Sequence, residues 1–365
     1  MTTAITTHWS QPILVLMVTL LGIVPAVVAQ EGDVTFTEIL RIGDESSEIP
    51  VFLSQVVSMA VDSRDQLYVT DFGFKGVLVF SSDGALLREI GREGRGPGEF
   101  MGPPFAHIGP GDTLYVLDRQ LQRLTVFSPQ DQSLIKSVTL RHADSQETQP
   151  YSVLGITDQG LLMVFTNTQS YLAQFVYRDG TVASDTVAHL RGADYVEFRM
   201  GSVSGARFLP YSARPHFALS ADEVLYYGRS AAVDLIGIPL KGGEKTRITV
   251  PHEPIRITPE ERSASVDAVR LDDLRKDLLA NIPEYKPAFW TLLPDGKGHL
   301  WIELARPQNE RTHPWEIINR KGVAVARAIL PENMQLISVR GNRAYGELQD
   351  EATGAPMAVV WEISF

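Results

Sequence analysis

The sequence predicts an all-β chain, a six-bladed β-propeller whose N-terminal strand closes the last blade, and three observations carry that expectation. The first is a repeat. Leu67-Tyr68-Val69 recurs as Leu114-Tyr115-Val116 and again as Leu161-Leu162-Met163, a constant step of 47 residues. A fixed period of this length marks units that each bury their faces against their neighbours. The second is turn chemistry: Asp83-Gly84, Asp179-Gly180, Asp295-Gly296 and Lys321-Gly322 separate apolar runs of strand length, and such pairs tolerate the positive φ that hairpins need. The third is a mismatch at the ends. The last copy stops after three strands, while an extra alternating segment, VTFTEILRIG at 34–43, precedes the first. Joining the two closes a ring and removes both exposed edges.

In chain order, the copies fall at 57–91, 105–140, 152–190, 216–250, 288–330 and 334–365. Between the fourth and fifth, Thr258-Pro259-Glu260-Glu261 supplies a cap, a first-turn proline and a capping-box glutamate. A helical insertion over about 258–283 is therefore expected, with Val266, Val269, Leu274 and Leu278 on one side and Pro283 as its stop.

The stretch GREGRGPGEF at 91–100 has the glycine density of a phosphate loop. A dinucleotide loop must open a helix, however, and here Pro97, Pro103 and Pro104 interrupt any helix before the next strand begins. It reads as a corner between blades, with Phe100 packed inward. The unit LYVTDFGFKGVLVFSSDGALLREIGREGRGPGEF (67–100) resembles the NHL-type six-bladed propellers of exported bacterial proteins, in which a Gly-Pro-Gly-Glu-Phe-like link follows a blade's outer strand. The resemblance implies the fold for the mature chain, although the sharp motif lies in the first blade alone. That group holds ligand-binding and protein-binding modules as well as lactonases and lyases, so it implies no particular activity.

Residues 13–29 are apolar apart from Thr19, Pro25 breaks the run, and Val27-x-Ala29 suits a signal peptidase. A signal peptide over 1–29 and a propeller domain over 30–365 are expected, hence a periplasmic or extracellular protein with no membrane insertion after cleavage. The n-region lacks Lys and Arg, so an uncleaved anchor is the alternative. With no cysteine, disulfide and thiol chemistry are excluded. A net charge of -11 argues against nucleic acid as a partner.

The long connections, 91–104, 191–215, 251–287 and the loop ARPQNERTHP at 305–314, all fall on one face, and long loops on a rigid scaffold carry recognition. Residues entering the inner strands ring the channel there, among them Gln149, Arg214, His216 and Lys286, joined by Arg199, Arg207 and Tyr211 from the fourth link and by Arg95 from the glycine-rich corner. This set is locally basic and suits a small anionic ligand, a peptide or a protein segment. No catalytic residue and no cofactor are read from the sequence: no Gly-x-Ser-x-Gly is present. The expectation is a monomeric, non-catalytic binding protein. The alternative is a metal-dependent lactonase, hydrolase or lyase in the same channel, where His107 and His216 would help to hold a divalent ion.

Overall fold

The computed structural model describes residues 32–43, 51–142, 148–167 and 169–365. The expected signal peptide lies outside the described residues. Six sheets follow one another along the chain, antiparallel except for the two-residue parallel pairs that Arg141–His142 and Gly32–Asp33 add at the outer edges of the third and fifth. The first contains Val56–Val61, Leu67–Asp71, Val77–Phe80 and Leu86–Ile90, in that order from the inner strand outward. The inner strands of the next four blades are Phe105–Ile108, Gln149–Thr157, Pro215–Leu219 and Phe289–Pro294. Blade 6 is Met334–Arg340, Arg343–Gln349 and Pro356–Ser364, completed by Thr35–Ile42 from the other end of the chain. That closing pair is antiparallel, with Thr35 opposite Ser364 and Ile42 opposite Ala358.

The middle strands of blade 1, Leu67–Asp71 and Val77–Phe80, are buried along their whole length. Leu67-Tyr68-Val69 and Val77–Phe80 are apolar throughout because neighbouring blades cover both faces of the sheet. Outer strands alternate instead: Ala324–Pro331 buries every second residue over its second half. Six apolar cores result, one between each pair of adjacent blades, and the core joining blades 6 and 1 packs Tyr345, Ala358 and Val360 against Val56, Met59 and Phe80. The ring is thus closed by side-chain packing as well as by the strand pairing.

A polar residue at or just past the end of several second strands ties down the link that enters an inner strand. Asp71 accepts from the backbone N–H groups of Ser54 and Gln55, both at 2.7 Å, and Asp118 accepts from Met101 N–H at 2.7 Å. In blade 4 the Ser230 hydroxyl takes this role toward Arg214 N–H at 2.9 Å. These bonds satisfy loop donors that burial would otherwise strand.

The glycine-rich corner is built as the sequence suggests. Phe100 is fully buried between blades 1 and 2. Its N–H donates to the Arg92 carbonyl at 2.8 Å and its carbonyl accepts from Gly94 N–H at 3.1 Å. Glu99 closes the turn by binding the Arg92 guanidinium at 2.8 Å and the Gly96 N–H at 2.7 Å.

Two features depart from the sequence reading. The 191–215 link contains a hairpin, Tyr195–Met200 paired with Val203–Phe208. The insertion is two helices rather than one, α1 (Pro259–Ala264) and α2 (Asp272–Asn281). The capping box at Thr258 and Glu261 forms in both directions. The chain breaks between the helices because Val266 and Val269 turn into the same core as Leu274 and Leu278, while Asp272 and Asp273 favour a fresh N-terminus by their charge. This core also takes Leu209, Val196 and Phe198, so hairpin and helices form one added layer.

Candidate binding face

The ends of the second strands and the starts of the inner and third strands meet on the loop-rich face. Arg119 directly follows the second strand of blade 2, Leu114–Asp118. Its guanidinium lies 3.8 Å from the ring centroid of Phe105, the first residue of that blade's inner strand, and 4.5 Å from that of Tyr151 in blade 3. Tyr151 in turn meets Tyr171 edge-on at 5.1 Å. Burial pulls the Arg119 pKa down from its ordinary value, and no carboxylate approaches it among the described residues. Its Nε is buried without a hydrogen-bond partner. Two aromatic faces hold the cation by cation–π attraction, leaving the edge of its plane unmatched.

Arg214 continues this arc in blade 4. It is exposed, and its charge acts on both Tyr171 and His216. His216 packs its ring on Phe289 at 4.7 Å. Burial, reinforced by Arg214, lowers its pKa to about 4, with Glu303 opposing. The arc therefore presents two guanidiniums and a neutral imidazole around aromatic rings, a surface that complements an anion carrying a flat apolar part.

Beside it, between blade 5, the start of blade 6 and helix α1, lies a cavity of about 700 Å³. Tyr211, with a left-handed φ of 57°, and Lys286 line it. Lys286 is buried and already committed: its Nζ meets Glu261 at 2.5 Å and donates to the Arg306 carbonyl at 2.8 Å. His313 donates from Nδ1 to Glu303 at 2.7 Å, and Thr291 donates to the other oxygen of that carboxylate at 2.5 Å. The Nε2 of His313 faces the Glu332 carbonyl at 3.3 Å, so this dyad joins blade 5 to the entry of blade 6.

Of the residues singled out in the sequence, Arg214 and His216 meet in one place, and Lys286 and Tyr211 share the neighbouring cavity. Gln149 is exposed at the start of its inner strand. Arg199 and Arg207 are exposed on the hairpin. Arg95 is exposed on the glycine-rich corner, its carbonyl held by Arg123 at 2.8 Å. His107 lines a second cavity, of about 690 Å³, at the opposite end of the channel with Arg340 and Tyr345. Among the described residues, no group of three or more His, Asp or Glu side chains converges as a metal-binding set.

Arg119, Glu303, Arg306 and His313 were not singled out in the sequence. Arg119 sits on a short loop, whereas the length criterion favours long ones; the usable signal was an arginine placed one residue beyond a second strand, facing aromatic positions at the start of two inner strands.

The fold is that of a six-bladed β-propeller, and residues 51–171 match a family model described as a 6-bladed beta-propeller. A Bacteroides fragilis protein described as exported is 10% identical, with a TM-score of 0.53 over 91% of this chain and 95% of that one. A Bacteroides vulgatus protein is likewise 10% identical, with a TM-score of 0.51 over 92% and 99%. Virginiamycin B lyase from Staphylococcus aureus reaches 0.47 at 10% identity, over 90% and 99%. Likeness at these identities is of fold alone, and it does not distinguish an NHL-type propeller from others. No curated protein sequence matches the chain.

Proposed function

We propose that this propeller is an exported, non-catalytic binding protein that holds a small carboxylate-bearing ligand with an aromatic or flat apolar part at the loop-rich mouth of its channel. The single observation that carries the reading is Arg119, stacked between Phe105 and Tyr151 with no carboxylate partner among the described residues. Withdrawing a guanidinium from water costs free energy unless an anion matches it. An incoming carboxylate would supply that match, with Arg214 as the second cation and Tyr171 as a wall. Export is supported by the apolar N-terminal segment with its Val27-x-Ala29 site.

Calorimetric titration with benzoate, succinate and inorganic phosphate tests the reading. Benzoate is expected to bind best, and Arg119→Met or Arg214→Met to weaken it about tenfold or more each, the loss of one charge-assisted contact. Binding unaffected by both substitutions, or no binding of any of the three anions, would overturn it. Metal analysis of the purified protein addresses the enzymatic alternative, since stoichiometric divalent metal would favour that class.

A further inference from the structure

The cavity beside helix α1 has a charge pattern that the channel mouth does not share. Four ionic groups on its wall are committed to one another, Lys286 with Glu261 at 2.5 Å and His313 with Glu303 at 2.7 Å. Four others are not. Arg306, Arg311, Glu310 and Glu332 all line the same space, and none forms an ion pair among the described residues. Arg306 goes further, because its Nη1 is buried with no hydrogen-bond partner.

We infer that this cavity binds an α-amino acid, or the equivalent zwitterion of a dipeptide. A ligand with only a negative charge would satisfy Arg306 and Arg311 but meet repulsion from Glu310 and Glu332, and a cation would meet the reverse. A molecule carrying carboxylate and ammonium a few bonds apart answers both sets at once. The carboxylate lies toward the Arg306 and Arg311 guanidiniums, the ammonium toward Glu310 and Glu332, and the side chain rests on the partly exposed ring of Trp290. A space of about 700 Å³ accommodates a molecule of that size. The site is separate from the Arg119 arc and stands whether or not an anion binds there.

Titration of the full chain with each proteinogenic L-amino acid tests this, followed by comparison of the tightest binder with its N-acetyl and its carboxamide derivative. Each derivative keeps one of the two charges. The free amino acid is expected to bind at least about tenfold more tightly than either. Arg311→Gln and Glu310→Gln, both at exposed positions that leave the fold intact, should each weaken it about tenfold, and Arg119→Met should leave it unchanged. The inference fails if no amino acid binds, if the blocked derivatives bind as well as the parent, or if neither cavity substitution alters affinity. It also fails if Arg119→Met abolishes binding, because the ligand would then sit at the channel mouth.

Discussion

Glu347 of blade 6 accepts a hydrogen bond from the backbone N–H of Val56 in blade 1 at 2.7 Å, in a buried setting, across 291 residues of sequence. In blades 1 and 2 the carboxylates at the ends of the second strands, Asp71 and Asp118, instead bind the entry of their own inner strand. Glu347 lies on the same face of its strand as Tyr345, which packs against blade 1, so it pins the seam at which the two ends of the chain are joined.

Replacing Glu347 with alanine leaves the Val56 N–H buried without an acceptor. The expected cost is about 1–3 kcal/mol. Glu347→Gln keeps a carbonyl acceptor and should lose less. Urea unfolding of both variants checks the order, and an alanine variant as stable as the parent would show that the contact does not hold the seam.

Two glycines of one corner should respond differently to the same substitution. Gly91 has φ +84°, and a Cβ there would collide with the ring of Phe100, which is fully buried. Gly98 has φ +79° but open space around it. Alanine at Gly98 therefore meets backbone strain alone, about 1 kcal/mol. At Gly91 overpacking adds to strain, for about 2–4 kcal/mol in all. Equal melting temperatures for the two variants would refute the account.

His107 and His216 give the fold an acid sensitivity. Burial holds both well below the ordinary histidine value, at about 4, with Arg340 and Arg214 respectively adding to the effect. Between the unfolded value of about 6.5 and about 4, the unfolded chain carries more protons on these rings, so stability falls as pH falls. Each ring contributes up to roughly 1 kcal/mol per pH unit across that window, less for the solvent that still reaches it. Below about 4 their contribution is flat. The double variant His107→Gln/His216→Gln should lose this slope in denaturation measured across the window; an unchanged slope would assign the acid sensitivity to other groups.

Most of the scaffold was legible in the sequence, because a 47-residue period and turn dipeptides are local signals that repeat. The closing strand was legible too, since the missing piece of blade 6 was visible as a surplus at 34–43. The hairpin at 195–208 was not. Its strands bury little, and their apolar residues Val196 and Phe198 join a core most of whose members lie some sixty or more residues later, which no local pattern announces. The binding face was legible in part. Arg214 and His216 flank Pro215 at the entry to one inner strand and were read together, whereas Arg119 and Tyr151 belong to different blades and meet only when the sheets are arranged radially. Lys286 was read as a ligand contact from its place at a strand start, and its burial against Glu261 depends on where helix α1 comes to rest.

The hairpin and the two helices share an apolar core of their own, distinct from the six that lie between blades. Scaffold and recognition surface are consequently independent in energy to first order. Residues facing that extra core can drift, lengthen or be exchanged, reshaping the rim of the cavity beside Lys286, while the radial sheets keep their packing and the closed circle its stability.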